Sequence, residues 1–234
     1  MDRRAEWFVP RFGPVRFRLA VGLLFLPYTG MVLAFTVIGA MLAETVDWRR
    51  VAAALAIYFL ALGIGAHALD AIGSRGIKPW GEVFSTAALW TLGVGSLVLA
   101  YTIAIYYMIY YSPWLWPLAL LEGLILVAYN LELFDGQLHT DTWFVLSWGI
   151  LPTLAGYVLQ TNRISLPVMI VALATGLISA VEINASRPYK AIKRLPQPNP
   201  DQIEAMQRYE RVLQGVSLGT ILLAVGLALW RWGI

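Results

Sequence analysis

Residues 51–80, VAAALAIYFLALGIGAHALDAIGSRGIKPW, decide the fold class. A continuous apolar run of about twenty residues is long enough to cross a bilayer as a helix, and it gives way here to a histidine and an aspartate three apart, then to a basic loop. In lipid every backbone polar group must be satisfied internally, so such a run is helical. A barrel strand would alternate in polarity over about ten residues. His67 and Asp70 sit where this run ends. Lipid solvates polar groups poorly, so side chains held at such a boundary mark the place to look for function.

The same pattern recurs along the chain. Of 234 residues, 59% are hydrophobic and 13% charged, and the mean hydropathy is +0.67. Apolar runs near residues 18–43, 51–70, 85–111, 114–131, 143–160, 165–185 and 212–232 predict an all-α, polytopic transmembrane bundle of about seven spans. Residues 1–17 read as a short leading segment, 18–194 as the bundle, and 195–234 as a linker, a charged helix and a last span. The linker ends in LPQPNP, an extended proline-spaced stretch. Asp201 is the expected N-cap of the helix that follows, and no breaker separates that helix from the last apolar run. The first apolar run is too long for a typical signal-peptide core, so it reads as an anchor.

Several function classes drop out on composition. The chain has no cysteine, which removes disulfides, thiolate catalysis, cysteine-held iron–sulfur clusters and haem attached through CxxCH. With His67 and His139 the only histidines, bis-histidine haem would need both from different elements. The pI of about 9.2 reflects topology, not nucleic-acid binding, because no compact basic domain exists to carry it. If the N-terminus is cytoplasmic, 13 of the 17 basic residues fall inside, and only Arg49, Arg50, Arg163 and Arg231 fall outside. That bias is the positive-inside pattern of an inner-membrane protein. Tyr106, Tyr107, Tyr110, Tyr111, Trp114 and Trp116 then flank an outer turn as interface anchors. The connections near 70–84, 132–141 and 186–200 share the cytoplasmic face.

The candidate site is built from those connections. His67 and Asp70, three apart, share a helix face. If the bundle brings the helix end at Glu182 across from them, the three form a ligand set suited to a divalent or transition metal, or a catalytic acid/base group; His139 is a further candidate ligand. The plainer alternative is a hydrogen-bonded helix-end pair, or pairing of Asp70 with Arg75 or Arg187. Arg187, Lys190, Lys193 and Arg194 form a basic loop able to hold an anionic headgroup or to contact anionic lipid. Glu122 lies inside PLALLEGLILVAY, too deep to reach either headgroup layer. It is expected to face the bundle interior, protonated or hydrogen-bonded to a tyrosine or serine, as a helix–helix link or as part of a proton relay or quinone-head site.

The order of HALDAIGSR at 67–75, AYNLELF at 128–134, WFVLSWGILPTLAGYVLQT at 143–161 and EINASRPYKAIKR at 182–194 resembles the layout of the UbiA superfamily of intramembrane prenyltransferases. The resemblance spans about residues 16–194. It implies a helical bundle with a cytoplasm-facing cavity for an isoprenoid, lined by His67, Asp70, Arg75, Tyr129, Glu182, Asn184, Arg187 and Lys190; Glu122, singled out by its place inside an apolar run, is a further candidate substrate-binding residue. In the family, NDxxDxxxD and a second aspartate motif hold Mg²⁺ on a diphosphate. Here Ala66, His67, Asp70 and Ser74 occupy the first motif's positions, and Ala185 and Pro188 replace aspartates of the second. A hard cation needs several oxygen ligands, so the expectation is a divergent member that binds an isoprenoid or other lipid without ordinary Mg-diphosphate prenyl transfer. If it is an enzyme, it belongs to isoprenoid, quinone or lipid metabolism. A different class is a non-catalytic lipid-binding or structural subunit of a larger membrane complex, respiratory or photosynthetic, with membrane-protein partners or a second copy of itself. A transporter is the third, although no inverted repeat is visible.

Overall fold

The computed structural model describes residues 6–74 and 84–233, and within them the chain is helical with no strand. Seven helical stretches follow in order: α1 (Val15–Met41), α2 (Trp48–Gly73), α3 (Thr86–Tyr110), α4 (Leu115–Asn130), α5 (Asp141–Thr161), α6 (Leu166–Lys193) and α7 (Pro200–Trp232). Six are long and apolar enough to cross a membrane, and the chain is a multi-pass helical membrane protein.

The expected seventh span is the exception. α4 has 16 residues, a length of about 24 Å against a hydrocarbon core of about 30 Å. Its two ends nevertheless reach opposite faces of the bundle. Before it, Ser112 donates to the Val158 carbonyl at 2.7 Å, near the end of α5. At its other end, Tyr129 stacks on His139, just before α5 begins.

The far face is tied by backbone carbonyls. Arg50 donates to the carbonyls of Leu159 and Gln160 at 3.2 and 3.0 Å, and Arg231 donates to that of Glu44 at 2.8 Å. Trp48 and Trp232 pack ring against ring at 4.5 Å. Tyr106, Tyr110, Tyr111 and Trp114 are exposed near this face, as interface anchors are.

α1 is the hub, packing on α2, α5, α6 and α7, while α3 lies outside α2. Two-thirds of its apolar window (67%) is buried, against 22% for α7. Lipid tails are as apolar as leucine, so contact between such helices depends on close packing, which small residues allow. A Cβ at Gly39 of α1 would overlap the Thr153 carbonyl of α5, and one at Gly156 of α5 would overlap the Thr36 carbonyl of α1. This reciprocal pair fixes the central crossing.

Three irregularities interrupt the helices, none of them anticipated from the apolar pattern. α1 breaks at Phe25, whose φ of 44° is left-handed. Pro27 lacks an N–H and crowds the preceding turn, and Thr29 donates to the freed Leu24 carbonyl at 2.6 Å. The other two are π-helical stretches, Phe59–Ala66 in α2 and Leu146–Ile150 in α5. At the start of α7 the cap is Asn199, not the expected Asp201: Asn199 and Gln202 exchange side-chain to backbone hydrogen bonds around Pro200. Proline suits that first position because its missing N–H would have no helical partner.

Candidate functional site

The irregular segments surround one cavity. The π stretch of α2 delivers His67 as the first residue of the turns that follow it. Trp148 lies within the π stretch of α5, and Phe25 sits at the break in α1. The His67 ring lies between Phe25 at 5.2 Å and Trp148 at 5.3 Å. π stretches and left-handed non-glycine residues cost stability and concentrate at functional sites. Gly73 brings the end of α2 against α4, since a Cβ there would overlap the Asn130 carbonyl. That approach carries Asp70 to the same cavity as Tyr129.

The cavity measures about 340 Å³ and is shared by α1 at its break and the ends of α2, α4, α5 and α6. Its walls are aromatic: Phe25, Tyr28, Tyr129, Phe144 and Trp148. Arg187, Lys190 and Arg194 also line it, against Asp70 as its one lining carboxylate among the described residues. Arg187 forms an ion pair of 2.6 Å with Asp141. Lys190 lies over the rings of Phe25 and Tyr28 at 4.9 and 5.0 Å, a cation–π arrangement. His139 stacks on Tyr129 at 4.2 Å. Its Nδ1 donates to the Tyr129 carbonyl at 2.9 Å, a role forced by the carbonyl's inability to donate. The surface therefore offers cationic groups beside aromatic walls, a combination suited to an anionic head on an apolar body.

Of the residues expected at the site, His67, Asp70, Tyr129, Arg187 and Lys190 line this cavity, and His139 joins them. The others lie elsewhere. Glu182 lines a smaller space with Glu6, Tyr189 and Lys190, walled off by Phe25 and Tyr28. There Tyr28 is hydrogen-bonded to Ser186, and Tyr189 and Lys193 both donate to Glu6, at 2.8 and 2.7 Å. Asn184 is exposed and donates to the Ala180 carbonyl at 2.8 Å, away from the cavity lining. Glu122 is in a separate cavity within the bundle, where Tyr58 donates to its Oε2 at 2.8 Å. Arg75 lies outside the described residues.

The metal site expected from His67, Asp70 and Glu182 is not formed. Among the described residues no three His, Asp or Glu side chains come together to hold an ion, because the helical period turns Glu182 toward Tyr28 while Ile183, Arg187, Lys190 and Arg194 turn toward the cavity. A magnesium ion on a diphosphate asks for several hard oxygen ligands, which the single lining carboxylate Asp70 does not supply. The residues present do not fit that group.

The basic residues and the His-Asp pair were legible as polar groups where apolar runs end. Phe25, Tyr28, Phe144 and Trp148 were not, because an aromatic residue in an apolar run reads as packing. Pro27 was the signal for the break that sets Phe25 in the cavity wall. No family model, curated protein or solved structure matches this chain.

Proposed function

We propose that this chain is a divergent UbiA-like protein of the inner membrane, and that its cavity faces the cytoplasm and binds an isoprenoid or other lipid with a phosphate-bearing head. The observation that supports this most is the convergence of Arg187, Lys190 and Arg194 on a cavity walled by Phe25, Phe144 and Trp148. Guanidinium and ammonium groups hold phosphate oxygens by charge-assisted hydrogen bonds. The rings supply apolar contact for the first part of a chain.

The same composition argues against Mg-dependent prenyl transfer as the activity. Three cations take the place of metal-held carboxylates, so a phosphate head is bound by direct protein contacts. His67 and Asp70 then act in orienting the head, with acid/base chemistry open to them only toward a substrate seated between Trp148 and Arg187.

Titration of the full chain in nanodiscs with farnesyl monophosphate and with phosphatidic acid tests the reading and separates an isoprenoid from a glycerolipid source. Saturable binding of either, unaffected by EDTA and weakened at least tenfold in Arg187→Ala/Lys190→Ala, is the expected result. Binding that requires Mg²⁺, or that survives the double substitution unchanged, would overturn it.

A further inference from the structure

A second cavity lies deeper in the bundle and shares no lining residue with the first. It measures about 70 Å³ and is formed by α2, α3, α4 and α5. A single ordered water needs only about 10–15 Å³ of such space, so the cavity has room for a head group and the first carbons of a chain. Small residues make the space: Ala54 and Ala61 of α2, Ala100 and Ala104 of α3, and Gly123 of α4.

Among the described residues its polar side chains are three. Tyr101 donates its hydroxyl proton to the Ala119 carbonyl at 2.7 Å, and Tyr58 donates to Glu122 Oε2 at 2.8 Å. Both phenolic protons are thus committed. Glu122, only 9% exposed, keeps Oε1 buried with no hydrogen-bond partner among the described residues. A buried polar atom left unsatisfied costs about 1–3 kcal/mol, and intramembrane acids persist where they face an interior that uses them. The carboxyl sits at the middle of the 16-residue α4, out of reach of the headgroup layers.

We propose that this cavity binds an uncharged lipid alcohol, whose hydroxyl hydrogen-bonds Glu122 while its chain leaves between α3 and α4 into the bilayer. The exit is suggested by Tyr101, Leu118 and Ala119, which line the cavity and are half-exposed. A hydroxyl both donates and accepts, so it satisfies Oε1 whether the acid carries its proton or not. A carbonyl head, which only accepts, serves one of those states, and an anionic head meets a wall with no cation to balance it. The inference does not rest on the phosphate-binding reading of the other cavity.

The test is photolabelling of the full chain in nanodiscs with a diazirine-bearing octanol, followed by peptide mapping. Labelling is expected on the segments carrying Tyr58, Tyr101 and Leu118. It should fall about tenfold in Glu122→Leu, the factor commonly supplied by one hydrogen bond to an ionisable group. It should fall similarly in Ala104→Leu, which fills the space and keeps the Glu122–Tyr58 pair. The matching diazirine-bearing octane should label weakly and ignore Glu122→Leu. Equal labelling by the two probes, labelling confined to lipid-facing residues, or displacement by decyl-benzoquinone as effective as by octanol itself would overturn the proposal. A single monodisperse peak in size-exclusion chromatography, at the parent protein's elution volume, shows that both variants fold.

Discussion

The two cavities solve the same problem in opposite ways. At the helix ends, charge is plentiful: Arg187, Lys190 and Arg194 line the space, and Arg187 is neutralised on one side by Asp141. In the interior, a single acid is held by one tyrosine among alanines and leucines. Near a headgroup layer, long basic side chains keep contact with water and offer their charge to a ligand. At mid-bundle no such escape exists, so polarity is kept to one hydrogen-bonded pair. The difference teaches that position along a helix decides which ligand chemistry a polar residue can serve.

The most severe way to break the comparison is to disturb the scaffold common to both sites. α5 gives Trp148 to one cavity and Ala155 and Leu159 to the other, and Gly156 seats it on α1. Gly156→Leu should cost more than about 3 kcal/mol, since backbone at the crossing cannot yield to a large side chain. The expected readout is loss of a monodisperse protein in size-exclusion chromatography, and with it both binding activities.

A smaller effect separates the sites. Arg187→Ala/Lys190→Ala should weaken farnesyl-monophosphate binding at least tenfold while octanol labelling at Tyr58 stays within twofold. Added salt should weaken the phosphate ligand further in the parent protein, because charge attraction near the headgroup layer is screened. A salt-independent isotherm would argue for the aromatic walls alone.

Tyr58→Phe sharpens the interior site. It removes the one donor to Glu122 among the described residues and leaves both carboxyl oxygens without a protein partner there, at a cost of about 1–3 kcal/mol. Thermal unfolding should shift down in that variant, and Glu122→Leu combined with it should recover part of the loss, as removal of both polar partners does. No recovery in the double variant would mean that the pair is not an isolated unit.

The smallest expected change concerns the segment before α1. Glu6 accepts from Tyr189 and Lys193, and Phe8 packs against Phe25 at 5.5 Å. Lys193→Met should loosen that tether by about 1 kcal/mol, read as faster proteolysis ahead of Val15 with unchanged unfolding temperature. Unchanged proteolysis would show that the aromatic contact alone holds the segment.

Much of this fold was legible because long apolar runs admit one solution in lipid. The glutamate at 122 needed a partner, and Tyr58 supplies it. What the pattern could not show was rotation. Glu182 stands one turn before Ser186, and that face, with Tyr189 and Lys193, points to Tyr28 and Glu6; the face of Ile183, Arg187, Lys190 and Arg194 points to His67. A π-helical stretch of five residues in α5 and one of eight in α2 reset which side chains meet. Periodicity read at 3.6 residues per turn carries no trace of such a shift. The short α4 was likewise read as a full span because its apolar flanks, Trp114 and Leu131, lie outside the helix itself.

The central claim is that the cavity beside His67 takes a phosphate head by direct contact with basic side chains. An experimental density map of the protein in nanodiscs with farnesyl monophosphate tests it most directly. The expected result is phosphate density within hydrogen-bonding distance of Arg187 and Lys190, with the isoprenoid chain against Phe25 and Trp148. A metal ion beside His67 and Asp70 bridging to the phosphate, or an empty cavity at saturating ligand, would contradict it.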